Sequence, residues 1–228
     1  MSNVKVNGNT YNGVTSVNLP LADGSGFATY AEGAVTDNVT NSILDGSISG
    51  NLTNEDITTI ALNCFRKATV GVLNFPNAVK MQDNAEGVTA ESILLPRVSS
   101  ISSVPNFRSS KISGVLDLSA LPNNIVGMNQ TFSGATIGTL KLGEMGDHNG
   151  CLQNATITNL IWNYTKSTSI NANDNGNIAG KQALGCIGLK VTNAYIPDAL
   201  YDGVKALIDD GTITTVTNLY KISEWSDG

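Results

Sequence analysis

The sequence predicts a mainly β repeat solenoid with a small β-rich N-terminal module and a C-terminal helical cap. Three observations predict it. An eleven-residue apolar pattern recurs six times between Phe65 and Ile196. Turn or strand-stopping residues follow most copies. Residues 1–49 lack the pattern and carry hairpin signals instead. A unit this short cannot bury its own apolar side, so it has to stack on its neighbours.

The first copy is Phe65-x-x-Ala68-x-Val70-x-x-Leu73-x-Phe75. Position one reads Phe65, Ala85, Phe107, Phe132, Leu152, Cys186; position four reads Ala68, Val88, Ser110, Ala135, Ala155, Leu189. Position six reads Val70, Ala90, Ile112, Ile137, Ile157, Val191, and position nine Leu73, Ile93, Leu116, Leu140, Leu160, Ala194. Position eleven reads Phe75, Leu95, Leu118, Leu142, Trp162, Ile196. Ser110 alone breaks the hydrophobic rule. A chain that is 41% hydrophobic would fill only about 12 of these 30 places by chance. The third copy needs one extra residue between Ile112 and Leu116. The competing reading is a β-sandwich, whose short strands also recur at regular spacing.

Pro76, Pro96, Ser119, Gly143, Asn163 and Pro197 follow position eleven, so the extended segment should end there. Positions nine and eleven lie two apart and face the core together. The copies are unequally spaced, and such variation belongs in outer loops, where insertion costs little.

Phe132-Ser133-Gly134-Ala135-Thr136-Ile137-Gly138-Thr139-Leu140-Lys141-Leu142 resembles a BspA-like leucine-rich repeat. Those units run from an aromatic through a small residue to spaced aliphatics ending in Leu-Pro. Ala61 to Ala68, followed by Phe75-Pro76, is similar. The likeness spans about residues 50–200. It lacks the usual cysteine at position four and loses the terminal proline in three copies. It implies a leucine-rich-repeat solenoid of the kind found in bacterial surface proteins and phage structural proteins.

Residues 1–49 read as a β-rich N-terminal attachment module. Val4-Lys5-Val6-Asn7-Gly8 is a hairpin signal, Val17-Asn18-Leu19 continues the alternation, and Phe27 to Tyr30 is a further strand. Tyr11 to Val14 and Leu19 to Gly26 resemble the start of some phage virion proteins. Residues 50–196 are the six-rung solenoid. Asn54 to Cys64 is expected to make a short capped helical turn over the first rung. Residues 197–228 form the cap: Pro197 opens a helix, Leu200, Val204, Leu207 and Ile208 make its apolar stripe, and Gly211 stops it. A strand from Ile213 to Val216 follows.

Composition excludes several functions. Charged residues are 14% and the net charge is −6, and no Lys/Arg cluster exists for nucleic acid or an anionic membrane. No apolar run approaches a membrane span of about 18 residues. Met1-Ser2-Asn3-Val4-Lys5-Val6 carries no secretory signal, which points to assembly in the host cytoplasm and a place in a virion. Cys64, Cys151 and Cys186 are odd in number and irregularly spaced; they read as packed thiols rather than a disulfide or zinc framework.

Chemistry-bearing candidates are few. His148 lies in Glu144-Met145-Gly146-Asp147-His148 with no nucleophile motif, and reads as a solvated loop residue. Asn171-Ala172-Asn173-Asp174-Asn175-Gly176-Asn177 imitates a calcium loop. However, Asn171 and Gln182 stand where acids are needed, so no metal is expected. Asp209-Asp210 should face water. The Asn-x-Thr triplets at Asn38, Asn51, Asn129 and Asn154 read as chance. No phosphate loop, catalytic residue or cofactor site is expected, and the chain reads as a non-enzyme.

Position ten instead offers an interaction face. Asn74, Leu94, Asp117, Lys141, Ile161 and Tyr195 should point outward along about 25 Å of sheet. Leu94, Ile161 and Tyr195 are apolar where water favours polar groups, which suggests a contact surface. Coverage by the protein's own loops or N-terminal module is the competing account. The leading expectation is a bacteriophage virion structural protein, a head decoration or tail-associated adhesion protein. It would be joined to other virion proteins through the N-terminal module and display the solenoid to a host protein or glycan. A homo-oligomer suits a virion. The alternative is a bacterial surface adhesin or extracellular protein- or glycan-binding module.

Overall fold

The computed structural model describes residues 3–6, 9–12, 16–20, 27–31, 40–43, 50–55, 59–60, 65, 67–81, 85–101, 107–122, 130–144, 151–163, 184 and 187–226. Within them the chain is mainly β, a parallel β-solenoid of about 5 turns with one α-helix.

The N-terminal strands are β1 (Asn3–Val6), β2 (Asn9–Asn12), β3 (Ser16–Pro20), β4 (Phe27–Ala31) and β5 (Thr40–Ile43). Short strands β6 (Leu52–Thr53) and β7 (Thr59–Ile60) come next, then β8 (Thr69–Asn74), β9 (Lys80–Met81), β10 (Thr89–Leu94) and β11 (Ser100–Ile101). The remaining strands are β12 (Lys111–Leu118), β13 (Thr136–Leu142), β14 (Thr156–Trp162), β15 (Lys190–Ile196) and β16 (Val216–Lys221). Helix α1 (Asp198–Asp209) joins the last two, and a 3-10 turn, Ile222–Glu224, follows β16.

The main sheet has eight parallel strands in the order β16-β15-β14-β13-β12-β10-β8-β6. Its register is that of the repeat. Leu73 pairs Ile93, then Leu116, Leu140, Leu160 and Ala194 in turn, and the position-six residues pair likewise from Val70 to Val191. Every repeat position from Phe65 to Ile196 that falls among the described residues is buried, Ser110 included. Ser110 keeps its place by donating its hydroxyl to the Ala85 carbonyl at 2.6 Å. Each fully buried Leu or Ile contributes about 1.5–3 kcal/mol relative to exposure. The extra residue in the third copy is a β-bulge, with a register shift between Ile112 and Val115.

Two kinds of turn shape the coils, the second shown in the first three copies among the described residues. Position three is left-handed in every copy, at Lys67, Gly87, Ser109, Gly134, Asn154 and Gly188. The position-four amide donates to the position-one carbonyl, as from Ala68 to Phe65 at 3.0 Å and Ala135 to Phe132 at 3.0 Å. That bond with positive φ at the third residue is the type II pattern. These turns stack, since the position-three amide donates to the position-two carbonyl of the next rung: Lys67 to Glu86 at 2.9 Å, Gly134 to Gln153 at 2.9 Å. The second turn follows position eleven, where Ala78 donates to Phe75 and Val98 to Leu95, each at 3.1 Å. Pro76 and Pro96 sit at the place where a proline presets the turn.

After this second turn the chain makes another sheet, of order β11-β9-β7-β5-β4-β3. Two core columns lie beyond the eleven-residue pattern: Ala78, Val98 and Leu121 close the second turn, and Ile60, Met81 and Ile101 lie on this sheet, all buried. Strands β5, β7, β9 and β11 run parallel, while β3, β4 and β5 are antiparallel, so β3 to β5 continue this sheet and β1 with β2 forms a separate two-stranded one.

The expected hairpin is present. β1 and β2 pair antiparallel with Val6 opposite Asn9, and Tyr11 packs against the core. Two expectations need correction. Within the supposed helical turn from Asn54 to Cys64, Thr59–Ile60 is strand, because its apolar Ile60 fills the second-sheet column. The strand expected from Ile213 to Val216 instead runs Val216–Lys221, where it pairs with β15 as a further rung. The ladder begins ahead of the first copy of the repeat, within the span expected for the solenoid, since Leu52 pairs with Leu73. The helix forms as expected, with Val204 buried, Leu200, Leu207 and Ile208 against the core, and Gly211 left-handed just past its end.

Candidate functional site: the outward sheet face

Alternation along each strand sends positions nine and eleven inward and positions eight and ten outward. The position-ten residues form one row: Asn74, Leu94, Asp117, Lys141, Ile161 and Tyr195 are register partners on consecutive strands. The row extends to Thr53 at one end and Tyr220 at the other. It is not a uniformly open surface. Five of the six are half-buried, and Ile161 is only 7% exposed. Asp117 and Lys141 place opposite charges on neighbouring strands, a favourable cross-strand pairing.

At the C-terminal end of the row the rings cluster. Tyr195 and Tyr220 stack with centroids 4.9 Å apart and planes 18° apart, at the spacing of their parallel strands. Trp225 meets Tyr195 edge-on at 4.8 Å with planes 70° apart. The 3-10 turn that brings Trp225 back is held by Asp198, the first residue of α1. Its carboxylate accepts the Ser223 hydroxyl at 2.7 Å and the Ser223 amide at 3.3 Å. Those bonds hold Asp198 below the usual carboxylate range, with nearby Lys221 adding to the effect. The coverage of Tyr195 thus comes from the chain's own C-terminal residues.

Position eight carries a feature that apolar periodicity does not reveal. Asn218 donates its amide to Asn193 at 3.0 Å, Asn193 to Asn159 at 2.9 Å, and Asn159 to the Thr139 hydroxyl at 3.3 Å. On the far side of the bulge, Ser92 accepts from the Val115 amide at 2.9 Å, and Asn51 accepts from the Val72 amide at 2.7 Å. Polar side chains therefore run along the same face as the position-ten row. The sequence signal was available as Asn159, Asn193 and Asn218 at one repeat position.

The remaining candidates separate. Asp209 and Asp210 are exposed as expected, but each has a partner: Asp209 pairs with Lys205 at 2.8 Å, and Asp210 accepts from the Thr212 amide at 2.8 Å. These bonds raise the Lys205 pKa and lower that of Asp210. Asn154 serves at a left-handed turn. Cys151 is a buried thiol; Cys64, Cys186, His148 and residues 171–177 lie outside the described residues. Among the described residues, no three His, Cys, Asp or Glu groups come together to hold a metal, and no helix is long and apolar enough to cross a membrane. Compared with family models, curated proteins and solved structures, the chain significantly matches none.

Proposed function

We propose that the protein is a non-enzymatic virion structural protein that displays a rigid repeat solenoid. The observation carrying this reading is the outward face of the main sheet, where in-register rows of side chains sit on a continuous hydrogen-bonded ladder. Such a face suits contact with a partner better than chemistry, because stacked rungs supply rigidity and area. In this reading the solenoid is of the leucine-rich-repeat type, α1 covers its last rung as a cap, and the strands of residues 1–49 attach it to other virion proteins. Low charge and abundant Asn, Thr, Ser and Gly give a polar surface that does not attract nucleic acid. The second reading, a surface adhesin or glycan-binding module, draws on the rings of Tyr195, Tyr220 and Trp225.

Mass spectrometry of purified phage particles from a strain carrying the gene tests the proposal. The chain should be recovered with the particle proteins after gradient purification. Its absence from particles, with the protein present in the lysate, ends the virion assignment.

A further inference from the structure

We propose that the C-terminal end of the outward face is a binding site for a neutral saccharide, formed by Tyr195, Tyr220 and Trp225 beside the amide ladder of Asn159, Asn193 and Asn218. The two sets share one face. Positions eight and ten are two residues apart, so amides and rings stand about 7 Å apart along each strand. Across strands they repeat at about 4.8 Å, close to one pyranose unit of an extended polysaccharide.

The three amides and the Tyr220 ring have capacity left for a ligand. A carboxamide has two N–H donors and two acceptor lone pairs. Asn193 spends one donor on Asn159 and one lone pair on Asn218, which leaves one of each for hydroxyls. Asn159 is spent in the same way, and Asn218, exposed on the edge strand, uses only a donor. Ladder bonds fix these amides before any ligand arrives, so binding orders few side chains. Tyr220 has one face against Tyr195 and turns the other beyond the last strand of the sheet. A pyranose offers what such a corner takes, an apolar C–H face for a ring and a rim of hydroxyls for amides.

Charge selects a neutral ligand. None of the six residues carries a carboxylate, ammonium or guanidinium group, and Lys141 and Asp117, further along the position-ten row, are of opposite charge. Lys221 lies at position eleven, on the opposite side of its strand, with its ammonium 5.4 Å from the Tyr201 ring. Glu224, exposed and next to Trp225 in sequence, disfavours an anionic sugar.

The test uses the purified full chain and so is independent of where the protein resides. The proposal rests on the glycan-binding reading of the same rings, so a failure here removes that reading and leaves the virion assignment standing, and absence from particles leaves the saccharide site standing. Cellohexaose, maltohexaose and chitohexaose are titrated separately by calorimetry and tryptophan fluorescence, with dextran sulfate as the charged comparison. Saturable binding of at least one hexasaccharide, unchanged between low and high salt, is expected. Tyr220→Ala should weaken it about fivefold to tenfold, and Asn218→Ala about threefold or more. Thr69→Ala, at the other end of the sheet, should leave it unchanged. Asn218 is exposed at the sheet edge, so its variant keeps the test valid if the Tyr220 variant unfolds. No binding of any hexasaccharide overturns the proposal. So does binding only of dextran sulfate, or unchanged binding by folded Tyr220→Ala or Asn218→Ala variants.

Discussion

Two residues in the same core show how differently buried positions contribute. Leu140 lies in the middle of the position-nine column and is fully buried, with Leu116 and Leu160 as its register partners. Truncating it leaves a cavity between close-packed rungs, so Leu140→Ala should lower unfolding free energy by about 2–5 kcal/mol. A denaturant melt showing less than about 1 kcal/mol would mean that the column is not packed as described. Ser110 is equally buried, but its column holds Ala68, Ala135 and Ala155 in other rungs. The Ala85 carbonyl that accepts its hydroxyl also accepts the Val88 amide at 3.1 Å. Ser110→Ala therefore leaves that oxygen one bond and fits the column, and should change stability by no more than about 1 kcal/mol. Gly138 is constrained by contact rather than by φ, since a Cβ there would run into the Ser113 carbonyl of the neighbouring strand. Most of these residue roles were legible in the sequence, because apolar side chains at fixed spacing advertise themselves. The left-handed third position was not, since Lys67, Ser109 and Asn154 hold it alongside three glycines.

At the scale of elements, the strands were legible where they repeat and obscure where they occur once. Columns containing Ala78 and Val98, or Met81 and Ile101, fall at or after the second turn, and only the earlier coils show them among the described residues. β6 offers a single buried apolar residue, Leu52, and β16 ends in Lys221 where earlier rungs carry an apolar residue. Such a lysine on an edge strand also discourages further strands from adding. The link between α1 and the 3-10 turn depends on pH. Ser223 depresses the Asp198 carboxyl below 3.8, so the folded form prefers the carboxylate. The contribution is full above the unfolded pKa and is lost as pH falls through the lower, folded value. A carbon-13 titration of the Asp198 carboxyl should show a midpoint below 3.8, moving back up in Ser223→Ala. A midpoint that the substitution does not move would show that Ser223 is not the partner.

For the whole molecule, the main claim is that successive copies of the repeat are successive strands of one parallel sheet. The sequence carried that claim as far as architecture, because the columns constrain stacking strongly. It said less about the site, where the position-eight amides and the ring of Trp225 belong to different rungs and join only through the fold. Spin labels on position five test the stacking directly, since Thr69, Thr156 and Lys190 are exposed and share one register row. In a background with the three cysteines replaced, the backbone separation should be about 19 Å for Thr69–Thr156 and about 24 Å for Thr69–Lys190. Dipolar spectroscopy should therefore give two narrow distance distributions that differ by about one strand spacing. Distances that do not grow with rung number, as in a sandwich that places these segments on different sheets, would contradict the solenoid.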